Sequence, residues 1–72
     1  MDYKKEYAQF ASELKNARKE RGWILPDLGE KIKISRAQIG KYERSDCCPD
    51  LDTFIKWAET LGYEVVITHK DL

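Results

Sequence analysis

The sequence predicts an all-α domain, a compact set of four helices followed by one C-terminal β-strand. Three observations carry that expectation. Apolar residues recur at spacings of three and four in four separate windows, Gly22 and Gly62 close the first and the last, and Ser35 and Asp50 stand where the third and the last would be capped. Only the segment after Gly62 changes to an alternating pattern rich in β-branched residues. A chain of 72 residues has room for one domain, which divides into a helical unit, residues 1–62, and a strand or tail for dimerisation, residues 63–72. A domain this small buries only about 60% of the surface its unfolded chain exposes, so association would help it.

Tyr3, Tyr7, Phe10, Leu14 and Ala17 lie on one helical stripe, so residues 3–21 read as an amphipathic helix that Gly22 ends. Leu25, Leu28 and Ile32 mark a short second helix. Pro26 stands in its first turn, where no amide partner is needed, and Asp27 and Glu30 lie near the positive end of the helix dipole. Lys33 and Ile34 make a tight connection, and Ser35 caps a third helix from Arg36 to about Arg44, with Ile39 and Tyr42 facing inward. Residues 45–49 read as a loop. Asp50 then caps a fourth helix whose apolar set is Leu51, Phe54, Ile55, Ala58 and Leu61, and residues 63–68 read as a strand.

The chain has 13 basic and 13 acidic residues, but residues 1–42 hold 10 bases and 6 acids while residues 43–72 hold 3 and 7. A neutral molecule with segregated charge can still turn a basic face to a polyanion. Cys47 and Cys48 are adjacent and have neither His nor further Cys beside them, so they form no staple and no zinc set and read as free thiols of a reducing compartment. No run approaches the roughly 18 apolar residues of a membrane span, and the charged N-terminus precedes no signal-like stretch. The expectation is a cytoplasmic protein without membrane, metal or cofactor. Catalysis is not expected either, because the single histidine, His69, has no paired nucleophile and no Gly-rich phosphate loop occurs.

Two short helices joined by a turn of about three residues, with Ser35 opening the second, make a helix-turn-helix signal. The second helix of such a pair can enter the DNA major groove. The residues Leu14 to Trp23, Leu28 to Arg44 and Pro49 to Phe54 together resemble the lambda-repressor-like helix-turn-helix family, also called the XRE or Cro type. By position, the resemblance implies that Arg36, Ala37 and Lys41 face base edges, with Ser35 and Gln38 near a phosphate or a neighbouring base. The chemistry of those side chains agrees: Arg and Lys suit guanine O6 and N7, Ala suits the thymine methyl, and Gln can be bidentate to adenine. Lys31 and Arg44 are candidate phosphate contacts, whereas Asp46 would repel DNA if turned toward it. Gly40 is expected to keep the groove-facing side of the helix small.

The resemblance further implies an ion pair between Arg18 and Glu43, a structural one that joins the first and third helices. The chain departs from the family pattern in three ways. Ile24 and Leu25 replace the usual capping hydroxyl and phosphate-contacting Gln, Pro26 removes an amide, and Lys33 stands where Gly is frequent, implying left-handed strain of roughly 1 to 2 kcal/mol.

In the tail, Tyr63, Val65 and Ile67 alternate with Glu64, Val66 and Thr68, and an unpaired apolar strand is a hazard that pairing removes. Two tails related by a twofold axis would form an antiparallel ribbon, with Trp57, Tyr63, Val65, Val66 and Ile67 as the dimer interface and two recognition helices about 34 Å apart. Trp57 as plain core is the competing reading. Gly22-Trp23, the helix around Thr53 to Lys56 and the terminal strand look like HipB-like antitoxins, which implies an operator-binding homodimeric repressor with a toxin protein as a second partner. The acidic residues Asp50, Asp52, Glu59 and Glu64 are the candidate toxin-facing surface. The alternative is a protein-interaction module on the same frame, with weak DNA binding.

Overall fold

In the computed structural model, which describes residues 3–70, the chain forms four α-helices: α1 (Lys4–Glu20), α2 (Leu25–Ile32), α3 (Arg36–Glu43) and α4 (Leu51–Thr60). These match the four windows of helical spacing to within a residue or two at each end. α2 packs on α3 and on α4, and α1 packs on α3. The core comprises Ala11, Leu14 and Ala17 of α1, Leu28 and Ile32 of α2, Ile39 of α3, Trp57 and Ala58 of α4, and Leu61 just beyond it. Tyr3 and Phe10, expected on the buried stripe, are largely exposed, although Phe10 lies 6.1 Å from the Phe54 ring of α4, while Ala11 is fully buried.

Every helix ends on a left-handed residue: Gly22 (φ +74°), Lys33 (+61°), Ser45 (+65°) and Gly62 (+92°). After each, the next N–H reaches back five residues, from Trp23 to Arg18 O (3.1 Å), Ile34 to Gly29 O (3.1 Å), Asp46 to Lys41 O (2.9 Å) and Tyr63 to Ala58 O (3.0 Å). These bonds satisfy carbonyls that a helix end leaves open. The strain expected at Lys33 is present, and Ser45, which the sequence reading treated only as loop, carries the same strain of about 1 to 2 kcal/mol. At the helix starts, Ser35 Oγ accepts from Gln38 N (3.2 Å) and Asp50 Oδ1 from Thr53 N (2.9 Å), as expected of caps. The two bonds from Thr53, side chain first and backbone second, hold the exposed Asp50 carboxyl below its ordinary pKa.

The C-terminal strand is a correction. Residues 63–70 form no ladder, and residues 71 and 72 of the expected tail lie outside the described residues. A strand needs a second edge for its N–H and C=O groups, which four helices do not offer. The Tyr63 N–H is already committed to closing α4, Val65 packs on the core, and Val66 and Ile67 face solvent. The ribbon expected across a dimer therefore has no counterpart in the single chain. Trp57 is a second correction: it has no exposed surface and sits inside the domain, its ring 6.0 Å from Tyr42 and edge-on to Phe54 at 6.1 Å. It is core, not interface.

Gly29 decides how closely α2 can approach the turn. A Cβ built there would stand 2.6 Å from the Ile34 carbonyl oxygen and 3.6 Å from Ile39 Cδ1. Gly29→Ala is expected to lose about 1 to 3 kcal/mol by overpacking, although alanine is the better helix former. In urea unfolding the midpoint should fall with the slope unchanged. An unaltered midpoint would show that the turn shifts aside without cost.

Candidate nucleic-acid interface

α3 is held by contacts on its inner face. Arg18 Nε donates to Glu43 Oε2 (2.7 Å) and Nη2 to Oε1 (3.0 Å), a bidentate pair between side chains only 9% and 4% exposed. Arg18 Nη1 also donates to Trp23 O (2.7 Å), so one guanidinium ties the end of α1 to the approach of α2 and to α3. Tyr7 Oη donates to Tyr42 O (2.9 Å) near the end of α3. Burial pushes the Tyr7 phenol well above its ordinary pKa, and the neighbouring Cys48 and Cys47 add to the shift, so it stays a donor at physiological pH. Lys56 Nζ donates to Ile32 O (3.1 Å) and secures the end of α2.

With Ile39, Gly40 and Glu43 turned inward, Arg36, Ala37 and Lys41 are left exposed on α3. These three stand together on one short helix, two of them cationic. Gly40 is a correction to the sequence reading. A Cβ there would meet Arg44 Nη1 at 3.1 Å and Leu25 Cδ1 at 3.7 Å, so its small size lets α3 lie against α2 and does not shape the outer face.

The other candidates are already engaged. Ser35 is exposed with its hydroxyl on the cap, and half-buried Gln38 donates from Nε2 to Cys47 Sγ (3.4 Å). Arg44 Nε donates to Asp46 Oδ2 (3.0 Å), both side chains more than half exposed. An exposed pair of this kind contributes about 0 to 1 kcal/mol, so a phosphate can replace the carboxylate. Lys31 lies over the Trp23 ring at 4.8 Å, and Arg21 is also on that ring at 5.3 Å. At the start of α2, Asp27 Oδ2 accepts from Ile24 N (3.0 Å), so that amide is unavailable to a phosphate.

Cys47 as the partner of Gln38 escaped the sequence reading, because a contact across nine residues in a loop follows no period. The left-handed Ser45 escaped it too, although the polar run after α3 was a turn signal. Among the described residues no three His, Cys, Asp or Glu side chains group as metal ligands, and no helix is long and apolar enough to cross a membrane.

A family model described as Helix-turn-helix matches residues 14–67, from the second half of α1 into the tail. The chain is 40% identical over 49 residues to the HTH-type transcriptional regulator SutR of Escherichia coli, an alignment covering 68% of this chain and 28% of the relative. The chain thus spans less than a third of that relative's length. No solved structure matches the chain.

Proposed function

The chain belongs to the helix-turn-helix family, and from that premise we propose that it is a sequence-specific DNA-binding regulator of transcription, acting as a repressor by occupying an operator. The observation that carries this reading is the exposed face of α3, where Arg36, Ala37 and Lys41 stand free while the opposite face is locked by the Arg18–Glu43 pair. A rigid helix with two unpaired donors and a methyl group suits direct readout in the major groove. Ser35, Gln38, Lys31 and Arg44 serve phosphates or a flanking base, with Arg44 exchanging Asp46 for DNA.

The repressor is a homodimer on a palindrome, since one short recognition helix reads too few base pairs to select a site. The similarity to a transcriptional regulator of Escherichia coli supports the regulatory role, while the antitoxin role rests on the resemblance carried by Gly22-Trp23 and the helix around Thr53 to Lys56, with the exposed acids Asp50, Asp52, Glu59 and Glu64 as the surface that would face a toxin.

Selection of bound duplexes from a randomised pool tests this reading and should enrich half-sites about ten base pairs apart. Against the selected site, Arg36→Ala and Lys41→Ala should each keep the fold and lose about 1 to 3 kcal/mol of discrimination at one base pair per half-site. Affinity should also drop by orders of magnitude between about 50 and 200 mM salt. A folded protein that enriches nothing would favour the protein-interaction module, for which Ile24, Leu25 and Pro26 at the start of α2 are the motivating departures.

A further inference from the structure

We infer that Cys47 is a positioning residue for sequence readout, holding the Gln38 amide ready for an adenine next to the bases met by Arg36 and Lys41. The inference rests on the DNA-binding reading above and narrows it to one side chain and one base. Half-buried Cys47 belongs to the loop between α3 and α4, yet its Sγ lies 3.4 Å from Gln38 Nε2 in the first turn of α3. Backbone features independent of that contact bring it there. Beyond Glu43, the last residue of α3, Ser45 is left-handed (φ +65°) and Asp46 N closes on Lys41 O at 2.9 Å, so the chain turns back along the helix. Three residues after Cys47, Asp50 is fixed as the cap of α4 by Thr53 N (2.9 Å). Cys47 thus sits between two anchored points, and the loop orders the glutamine.

Gln38 precedes Lys41 by three residues, so the two are neighbours on the side of α3 away from Gly40 and Glu43. A glutamine amide has two hydrogens and one oxygen. With one hydrogen given to sulfur, one hydrogen and the oxygen remain, the donor and acceptor that adenine N7 and N6 require. An amide free to turn over could instead offer both hydrogens to guanine O6 and N7. Held by Cys47, it keeps its oxygen forward, where guanine O6 would set acceptor against acceptor. Sulfur is a weak acceptor, so the contact adds little affinity of its own. Its effect is to reduce the rotamers that Gln38 samples before DNA arrives, and with them the ordering cost of binding.

The test uses the full chain and the duplex that the wild type selects from a randomised pool, with competition among the four base pairs at each position in turn. The wild type should prefer adenine at one position per half-site, and Gln38→Ala should lower that preference by about 5- to 150-fold, the discrimination of a bidentate pair written as a ratio. Cys47→Ala should lower it severalfold at the same position and at no other. Cys47→Ser, which restores an acceptor, should recover most of the preference, and Cys48→Ala should leave it unchanged. In a Gln38→Ala background, Cys47→Ala should have no further effect on base preference.

A Cys47→Ala protein with the full adenine preference would overturn the positioning and leave the DNA reading standing. A gain of that preference would overturn it too, because the loop would then be withholding the glutamine. So would a loss spread over every position or persisting without Gln38, since the loop would then act on α3 as a whole. A folded wild type that enriches no sequence would remove the DNA reading and this inference with it.

Discussion

Glu43→Ala is expected to lower folding stability by about 3 to 5 kcal/mol, the cost of leaving one member of a buried ion pair without its partner. Arg18 would keep its bond to Trp23 O but lose both bonds to the carboxylate, with its guanidinium still out of contact with water. For a domain of this size that is a large share of the total, since small proteins have about 5 to 15 kcal/mol in hand. Urea unfolding followed by far-UV circular dichroism would measure the loss. The intact pair is a different matter, because its mutual attraction mostly offsets the desolvation of two charges. Replacing both members, Arg18→Met with Glu43→Leu, should therefore recover most of the stability that Glu43→Ala loses. A double variant as unstable as the single one would show that the pair itself holds α3 to α1. In either case, base preference measured on the folded fraction should be unchanged, since neither residue reaches the exposed face of α3.

What could be read from the sequence is local in origin. Helix windows, the caps at Ser35 and Asp50, and the ends at Gly22 and Gly62 follow from residues within one turn of each other, so spacing alone reveals them. The Arg18–Glu43 pair is separated by 25 residues and came from the family resemblance, which the bidentate geometry bears out. Quantities set by three-dimensional neighbours were not accessible in this way. Gly29 leaves no room for a side chain because the Ile34 carbonyl comes back over it, and Gly40 faces Leu25 and Arg44. The tail's alternation is real, yet alternation predicts a strand only where another strand exists to pair with it. On the face proposed to meet DNA, the positions of Arg36, Ala37 and Lys41 follow from α3 having two sides, whereas the engagement of Gln38 by Cys47 depends on how the following loop folds back.

Trp57→Ala should cost about 3 to 5 kcal/mol, the range for removing a large aromatic side chain from a packed core. The ring is fully buried against Tyr42 and Phe54. Trp57→Phe separates volume from polarity. The indole Nε1 is buried and has no hydrogen-bond partner, a desolvation cost of about 1 to 3 kcal/mol that phenylalanine would not bear. The phenylalanine variant should accordingly fall by no more than about 1 kcal/mol, much of its lost area being offset by that relief. Half-buried Trp23 remains in both variants as a fluorescent reporter of unfolding. The sequence reading of Trp57 as an interface residue makes a different prediction, a loss that grows as the protein is diluted toward monomer. Burial within one chain predicts a loss independent of protein concentration, and unfolding of Trp57→Ala at two concentrations a hundredfold apart decides between them.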